Sequence, residues 1–228
     1  MTRLAVVLFN LGGPDRPEAV QPFLFNLFND PAIISLPQPL RWLLATLISR
    51  RRAPVAAEIY RQLGGGSPLL PNTQAQAASL EQALADLGTV KVFTAMRYWH
   101  PLSDETAQAV KAFAPDEVIL LPLYPQFSTT TTASSLGQWA KDARRAGITA
   151  KSRTVCCYPT DDGFIEAMVA LIRPVYQQAA AAGQPRLLFT AHGLPQRVVD
   201  RGDPYQKQVE ATAAVIVSRL AKIGRAHV

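Results

Sequence analysis

The sequence predicts an α/β protein built on mostly parallel β-sheet, and three observations carry that reading. Continuous apolar runs of strand length alternate with segments of helical period along the chain. The first run, Leu4 to Phe9, offers apolar side chains to both faces, as a strand covered by helices on either side must. Residues able to do chemistry then recur just beyond the ends of these runs: Asn10-Leu11, Arg97-Tyr98, Tyr124 to Ser128, and His192. In open α/β sheets that rim is where ligands bind.

The elements follow in order. The strand Leu4 to Phe9 ends in Asn10-Leu11-Gly12-Gly13-Pro14, a tight turn that lacks the spaced glycines of a dinucleotide fingerprint. Helices are expected from about Glu18 to Phe28 and from Pro37 to Ser49. The second is rich in Leu40, Trp42, Leu43, Leu44, Leu47 and Ile48 and runs into Arg50-Arg51-Arg52. It reads either as a core helix with a solvated basic end or as an exposed apolar lip whose arginines meet anionic lipid or substrate carboxylates. Tyr60 leads to Gly64-Gly65-Gly66-Ser67-Pro68, where backbone N–H groups and a hydroxyl could converge on an anion. A helix from about Thr73 to Leu87 precedes the strand Lys91 to Met96, whose exit holds Arg97-Tyr98-Trp99-His100-Pro101. Ser103, with Asp104 and Glu105, makes a good helix start. The strand Glu117 to Leu121 exits into a hydroxyl-rich loop from Tyr124 to Thr132, and a helix near Ser134 to Ala146 follows. A short strand at Arg153 to Val155 and a helix from about Asp162 to Ala181, with a kink at Pro174, come next. Leu187-Leu188-Phe189-Thr190 then reads as a buried strand delivering His192 at its carboxyl end, before the Gly193-Leu194-Pro195 break. Asp203 and Pro204 are placed as N-cap and first residue of a last helix.

Composition narrows the function classes. With 48% hydrophobic and 18% charged residues in 228, the chain has enough apolar side chain for a substantial core. Its net charge of +6 is scattered apart from the arginine triplet, so a nucleic-acid groove is not indicated. Two adjacent cysteines, Cys156 and Cys157, make no disulfide scaffold and suit a reducing, cytoplasmic setting. No segment resembles a secretory signal, and none approaches the ~20 apolar residues of a membrane span.

A lone histidine can simply cap a strand. His192 gains weight because aromatics, a fixed cation at Arg97, hydroxyls and a titratable imidazole all fall on the predicted carboxyl rim. Such a set suits a large, flat aromatic ligand with peripheral carboxylates. At these residues the chain resembles the ferrochelatases of haem biosynthesis, from Leu4 to about Leu220. The resemblance rests on five motifs in order: Asn10 to Pro14; Tyr60 through Gly64 to Pro68; Arg97-Tyr98 with His100-Pro101; Tyr124 to Ser128; and Ala191 to Pro195 continuing through Arg201-Gly202-Asp203-Pro204-Tyr205.

That resemblance implies two Rossmann-like lobes, here 1–160 and 161–222, the second of them incomplete. It implies insertion of Fe²⁺ into protoporphyrin or coproporphyrin, with no cofactor beyond the metal substrate. His192 matches the family's active-site histidine, as pyrrole proton acceptor or iron ligand. Leu11, Leu27, Ile33, Tyr98 and Pro195 match positions walling the macrocycle. Arg51, Arg52, Ser67, Tyr124 and Ser128 match positions on or near the porphyrin and its propionates, and Tyr60 and Arg97 join the substrate-binding set. The segment 37–52 matches the lip of the pocket, which favours the exposed reading and peripheral contact with the inner membrane.

The chain also departs from the family. The acidic partner of the histidine, a glutamate on the far wall, has no match. Thr129 stands where some members carry an iron–sulfur cysteine, so that cluster is not supported. Residues 223–228 abandon the pattern and read as a non-native tail, the translation of a sequencing adapter, so the chain is expected to be an N-terminal fragment. Two alternatives stay open: another tetrapyrrole chelatase, such as one inserting cobalt, or a non-catalytic porphyrin- or metal-binding module.

Overall fold

A computed structural model describes residues 2–224. It divides into two compact units, one of residues 1–124 and 129–156, the other of residues 125–128 and 157–228. The expected tail at 223–228 falls at that limit, and 225–228 lie outside the described residues.

The first unit is α/β. Four strands, β1 (Arg3–Asn10), β2 (Thr89–Met96), β3 (Glu117–Pro122) and β4 (Lys151–Thr154), form one sheet in the order β2-β1-β3-β4. Every pairing is parallel, with Val7 opposite Phe93 on one side and Leu120 on the other. Parallel neighbours need crossovers, and helices supply them. These are α1 (Val20–Phe28), α2 (Gln38–Gln62), α3 (Leu69–Ala83), α4 (Ser103–Phe113) and α5 (Thr132–Ala146).

The apolar run of β1 is used on both faces, as its pattern predicts. Ala5, Val7 and Phe9 pack with Phe93, Ala107, Val110, Leu120 and Trp139, beneath α4 and α5. Leu4, Val6 and Leu8 turn the other way, onto Ala77, Leu80 and Leu84. The Phe9 and Trp139 rings meet edge to face at 5.8 Å, and Trp139 is buried. Fully burying a side chain of this kind contributes about 1.5–3 kcal/mol, so both layers clamp the central strand.

Several boundaries differ from the sequence reading. Helix α2 does not stop at Ser49. It continues through the arginines and Pro54 to Gln62, because Ala53, Ala56, Ala57 and Tyr60 pack on the cluster formed by α1 and Tyr98-Trp99. Tertiary packing here overrides the proline. Helix α3 begins four residues before Thr73, and a separate 3₁₀ turn takes Ala85–Leu87. Ser103 opens α4 without capping it: the cap position is Leu102, whose N–H donates to the Glu105 carboxylate at 2.6 Å.

In the second unit, α6 (Asp162–Ala182), α7 (Gln196–Asp200) and α8 (Tyr205–Gly224) account for the regular structure among the described residues. Ile165 and Val169 of α6 pack against Ile216 of α8. Asp203 accepts from the Tyr205 N–H at 3.0 Å, but α8 begins at Tyr205, one residue later than expected, so Pro204 precedes the helix. The strand expected at Leu187–Thr190 does not form. That segment has no regular structure, and Leu188 and Phe189 are exposed. An apolar run becomes a strand only when a neighbour satisfies its backbone. None is present among the described residues of this unit.

Candidate functional site

The carboxyl ends of β1 and β2 lie side by side, Asn10 opposite Met96, and their exits are stitched together. The N–H of Arg97 donates to Asn10 O and that of Tyr98 to Leu11 O, both at 2.9 Å. The Asn26 amide, from α1, donates to Tyr98 O at 3.1 Å. Around this stitch gather Leu11, Leu27, Tyr60 and Tyr98, four residues picked out by sequence, with Trp99 and Phe23 in the same apolar cluster. Three of the four are half-buried. Tyr98 is not: it is 1% exposed, so its ring underlies the wall formed by its neighbours and offers no free face.

The glycine loop is seated against the first turn. Ser67 N–H donates to Pro14 O at 2.7 Å, and its Oγ accepts from the Leu69 N–H at 3.2 Å. This approach explains two glycines. A Cβ on Gly66 would lie 2.6 Å from Asp15 O, and one on Gly13 would lie 2.5 Å from Ser67 Oγ. The Ser67 oxygen thus accepts a bond at the start of α3, a bond that does not use its own O–H. Arg51 and Arg52 sit on the exposed side of α2, with the Arg52 guanidinium 5.8 Å from the centre of the Phe28 ring. Leu43 and Leu47 on the same helix are 61% and 60% exposed. The helix thus exposes these leucines while burying Ala45 and Ser49.

The residue that sequence reasoning missed is Asp30. Its side chain is 2% exposed, and one oxygen, Oδ2, accepts from Arg97 Nη2 at 2.6 Å, Tyr98 Oη at 2.8 Å and Ser134 Oγ at 2.7 Å. The other oxygen accepts from the Ala32 N–H at 2.8 Å, and the Asp30 carbonyl accepts from the N–H groups of Ile33 and Ile34. Ser134 closes the ring by accepting from Arg97 Nε at 2.8 Å. Arg97, the fixed cation expected in the substrate-binding set, is thus the counter-ion of a buried carboxylate in this structure. An Asp-Pro pair just after a helix is a turn signal, and could have drawn attention to Asp30.

Beside this network lies a cleft of about 350 Å³. Of the sequence-picked residues, Arg97 lines it, with Asn26, Asn29, Asp104, Asp142 and Arg145. Three aspartates, counting Asp30, outnumber its two arginines, so it is poorly suited to an anionic ligand.

Burial raises the hydroxyls of Tyr60, Tyr98 and Tyr124. For Tyr98 the Asp30 charge adds to the effect. Tyr124 is pushed up to about 12 by burial, against smaller opposing effects of its bond to Ser135 and the Arg97 charge. The Tyr124 hydroxyl lies 3.4 Å from Ser135 Oγ, and the ring packs on the α4–α5 side of the sheet, away from the Tyr98 cluster. The sign of the linkage follows. A folded-state value above the unfolded value of about 10 gives stability that is intact below pH 10 and lost as pH rises towards 12. For Tyr124 alone the expected loss is about 2–3 kcal/mol over that window. Alkaline denaturation monitored by circular dichroism checks it, and Tyr124→Phe should flatten that part of the profile.

The remaining sequence-picked residues belong to the second unit. Ser128 is buried, and its Oγ donates to Asp203 Oδ2 at 3.0 Å, which braces the start of α8. His192 and Pro195 are exposed, and His192 stands in irregular backbone. The placement of His192 at a strand's carboxyl end is therefore corrected along with that strand. Among the described residues no group of three or more His, Cys, Asp or Glu side chains could hold a metal ion.

Comparison with known proteins fits the first unit's geometry. The ferrochelatase family profile matches residues 3–228. The chain belongs to the ferrochelatase family. A ferrochelatase of Caulobacter vibrioides (strain NA1000 / CB15N) is 59% identical over 221 residues, covering 96% of this chain and 63% of its own. One from Phenylobacterium zucineum (strain HLK1) is 58% identical, over 96% of this chain and 64% of its own. One from Wolbachia sp. subsp. Drosophila simulans (strain wRi) is 52% identical, over 95% and 70% respectively. The chain thus spans under two thirds of the length of the first two ferrochelatases it matches.

Proposed function

We propose that this chain belongs to an enzyme that inserts Fe²⁺ into a porphyrin, protoporphyrin or coproporphyrin, in haem biosynthesis. The observation that carries the proposal is the gathering of Leu11, Leu27, Tyr60 and Tyr98 at the carboxyl ends of β1 and β2, in a chain of this family. Metallation replaces two pyrrole N–H protons with one Fe²⁺, and no electrons change hands. The flat ring must bend so that its nitrogen lone pairs point at the incoming ion. A stiff apolar wall that fits the bent ring better than the flat one lowers that barrier. His192 is the residue proposed to accept a pyrrole proton or pass the iron. An imidazole can accept a proton or ligate ferrous iron, so it suits either task. Leu11, Leu27 and Ile33 supply the wall, backed by Tyr98, while Arg51 and Arg52 are the cations left to meet propionates.

The exposed apolar residues of α2, Leu40, Trp42, Leu43 and Leu47, flanked by Arg41, Arg50 and Arg51, support a second part of the proposal: peripheral contact with an anionic membrane on the cytoplasmic side. Among the described residues no helix is long and apolar enough to cross one. Co-sedimentation with anionic vesicles should fall at least tenfold in a Leu43→Asp/Leu47→Asp variant. Equal sedimentation would remove this part.

The deciding experiment follows Fe²⁺ insertion into protoporphyrin and coproporphyrin by absorbance. It compares the 228-residue chain with a chain extended to the Caulobacter protein's length using that protein's sequence. Insertion by the longer chain supports the proposal, and porphyrin binding without insertion by either favours a non-catalytic binding module. Insertion of Co²⁺ but not Fe²⁺ would assign a different chelatase.

A further inference from the structure

Each residue proposed for the wall in the first unit traces back to a single carboxylate. Ile33 sits in the turn closed by Asp30 through its side chain, to the Ala32 N–H, and through its carbonyl, to the N–H groups of Ile33 and Ile34. The Tyr98 hydroxyl donates to Asp30, and the Tyr98 backbone in turn bonds Leu11 O and the Asn26 amide of α1, the helix that carries Leu27. Ser134 brings the first turn of α5 to the same oxygen, and Arg97 fixes the exit of β2 there. Three donors from two further parts of the fold converge on one oxygen, within 2.6–2.8 Å, from a side chain that is 2% exposed. That density of charge-assisted bonds is more than a turn needs. The phenol of Tyr98 could have been satisfied by water or a carbonyl had its only task been to fill the core.

We propose that Asp30 is a positioning residue: it sets the separation of Ile33, Leu11 and Leu27 that makes the wall fit a bent macrocycle. The idea rests on the porphyrin reading above, and it assigns to Asp30 no contact with the ligand. The mechanism is mechanical. A wall that could relax by half an ångström would still bind the flat ring through the same apolar area, but would no longer favour the bent one. Asp30 should therefore control distortion of the bound ring more than affinity for it.

The test uses the 228-residue chain, protoporphyrin as the probe, and two readouts: the dissociation constant by fluorescence titration, and the out-of-plane bands of the bound ring by resonance Raman at saturation. Three variants are compared with the unsubstituted chain. Asp30→Asn is isosteric, and the partly solvated Arg97 can keep water in place of its counter-ion. Ser134→Ala removes one donor to Asp30, together with the oxygen that accepts from Arg97 Nε. Asp142→Asn, bonded to Gln138 and Arg145 of its own helix, controls for loss of an ordinary buried carboxylate. The expected result is a dissociation constant within about threefold for all of them. The out-of-plane intensity should fall to a third or less in Asp30→Asn, fall partially in Ser134→Ala, and stay unchanged in Asp142→Asn. Unchanged bands in both Asp30→Asn and Ser134→Ala would overturn the role given to Asp30 while leaving the porphyrin site standing. Equal loss in Asp142→Asn would also overturn it, by showing general loosening. If Asp30→Asn does not fold, Ser134→Ala decides the matter alone. Absence of porphyrin binding by the unsubstituted chain would remove the site and this role with it.

Discussion

Substitution of His192 by alanine is expected to cut Fe²⁺ insertion by a factor of 10²–10⁴, the range that a positioned general base or acid contributes. The chain to use is one extended to the length of its Caulobacter relative, in which insertion is proposed. Affinity for the porphyrin should stay within about threefold, because the wall proposed to hold the ring is made of Leu11, Leu27 and Ile33, backed by Tyr98, and His192 is not among them. A kcat loss without a KM change is the signature of an interaction made in the transition state only. If the imidazole accepts a proton, added imidazole should restore part of the rate. If it passes the metal, the loss should shrink as Fe²⁺ is raised towards saturation. A variant retaining more than half of the wild-type rate at all iron concentrations would take His192 out of the mechanism.

The contrast between His192 and the first unit shows what a sequence can and cannot say. The strand Leu4 to Phe9 is legible because its partners, β2 and β3, are strands of equal quality, and its apolar side chains find helices on both faces. Leu187 to Thr190 has the same composition, yet it is no strand here, because apolar content does not supply a ladder of neighbours. Local pattern states a preference, and the pairing partner decides the outcome. The site behaves likewise. Leu11 and Tyr98 could be picked from residue type and place at strand exits, and Tyr60 from the family resemblance. Their gathering depends on α2 running past Pro54 to deliver Tyr60, which a rule that stops helices at proline hides. Asp30 was invisible for a different reason. A carboxylate followed by proline advertises a turn, and nothing local tells that Arg97, Tyr98 and Ser134, 67 to 104 residues away, will converge on it. Ser67 and Ser128 show how a loop hydroxyl also serves the fold: Ser67 accepts from the Leu69 N–H and Ser128 donates to Asp203.

The reassignment of Arg97 makes the second large prediction. Were it a ligand-facing cation, Arg97→Ala would weaken porphyrin affinity and leave the fold alone. As the counter-ion of Asp30 it should do the reverse. Removing one member of a buried ion pair strands the other charge, at a cost of about 3–5 kcal/mol. The Asp30 side chain is 2% exposed, and the donors left to it, Tyr98, Ser134 and the Ala32 N–H, are neutral. Arg97 itself is 17% exposed, which places the expected loss towards the lower end of that range. For a protein of this size it corresponds to a fall in Tm of about 6–12 °C. A double variant supplies the internal check. Arg97→Ala combined with Asp30→Asn has no stranded charge, so it should be more stable than Arg97→Ala alone, a non-additivity that unconnected residues would not give. Thermal unfolding of the three variants, with porphyrin titration of each that folds, separates the two roles. A Tm within 2 °C of wild type, accompanied by a tenfold loss of porphyrin affinity, would return Arg97 to the ligand. A large fall in Tm, rescued in the double variant and with affinity retained, would fix the charge of Arg97 as the one that allows a carboxylate to sit beneath the wall.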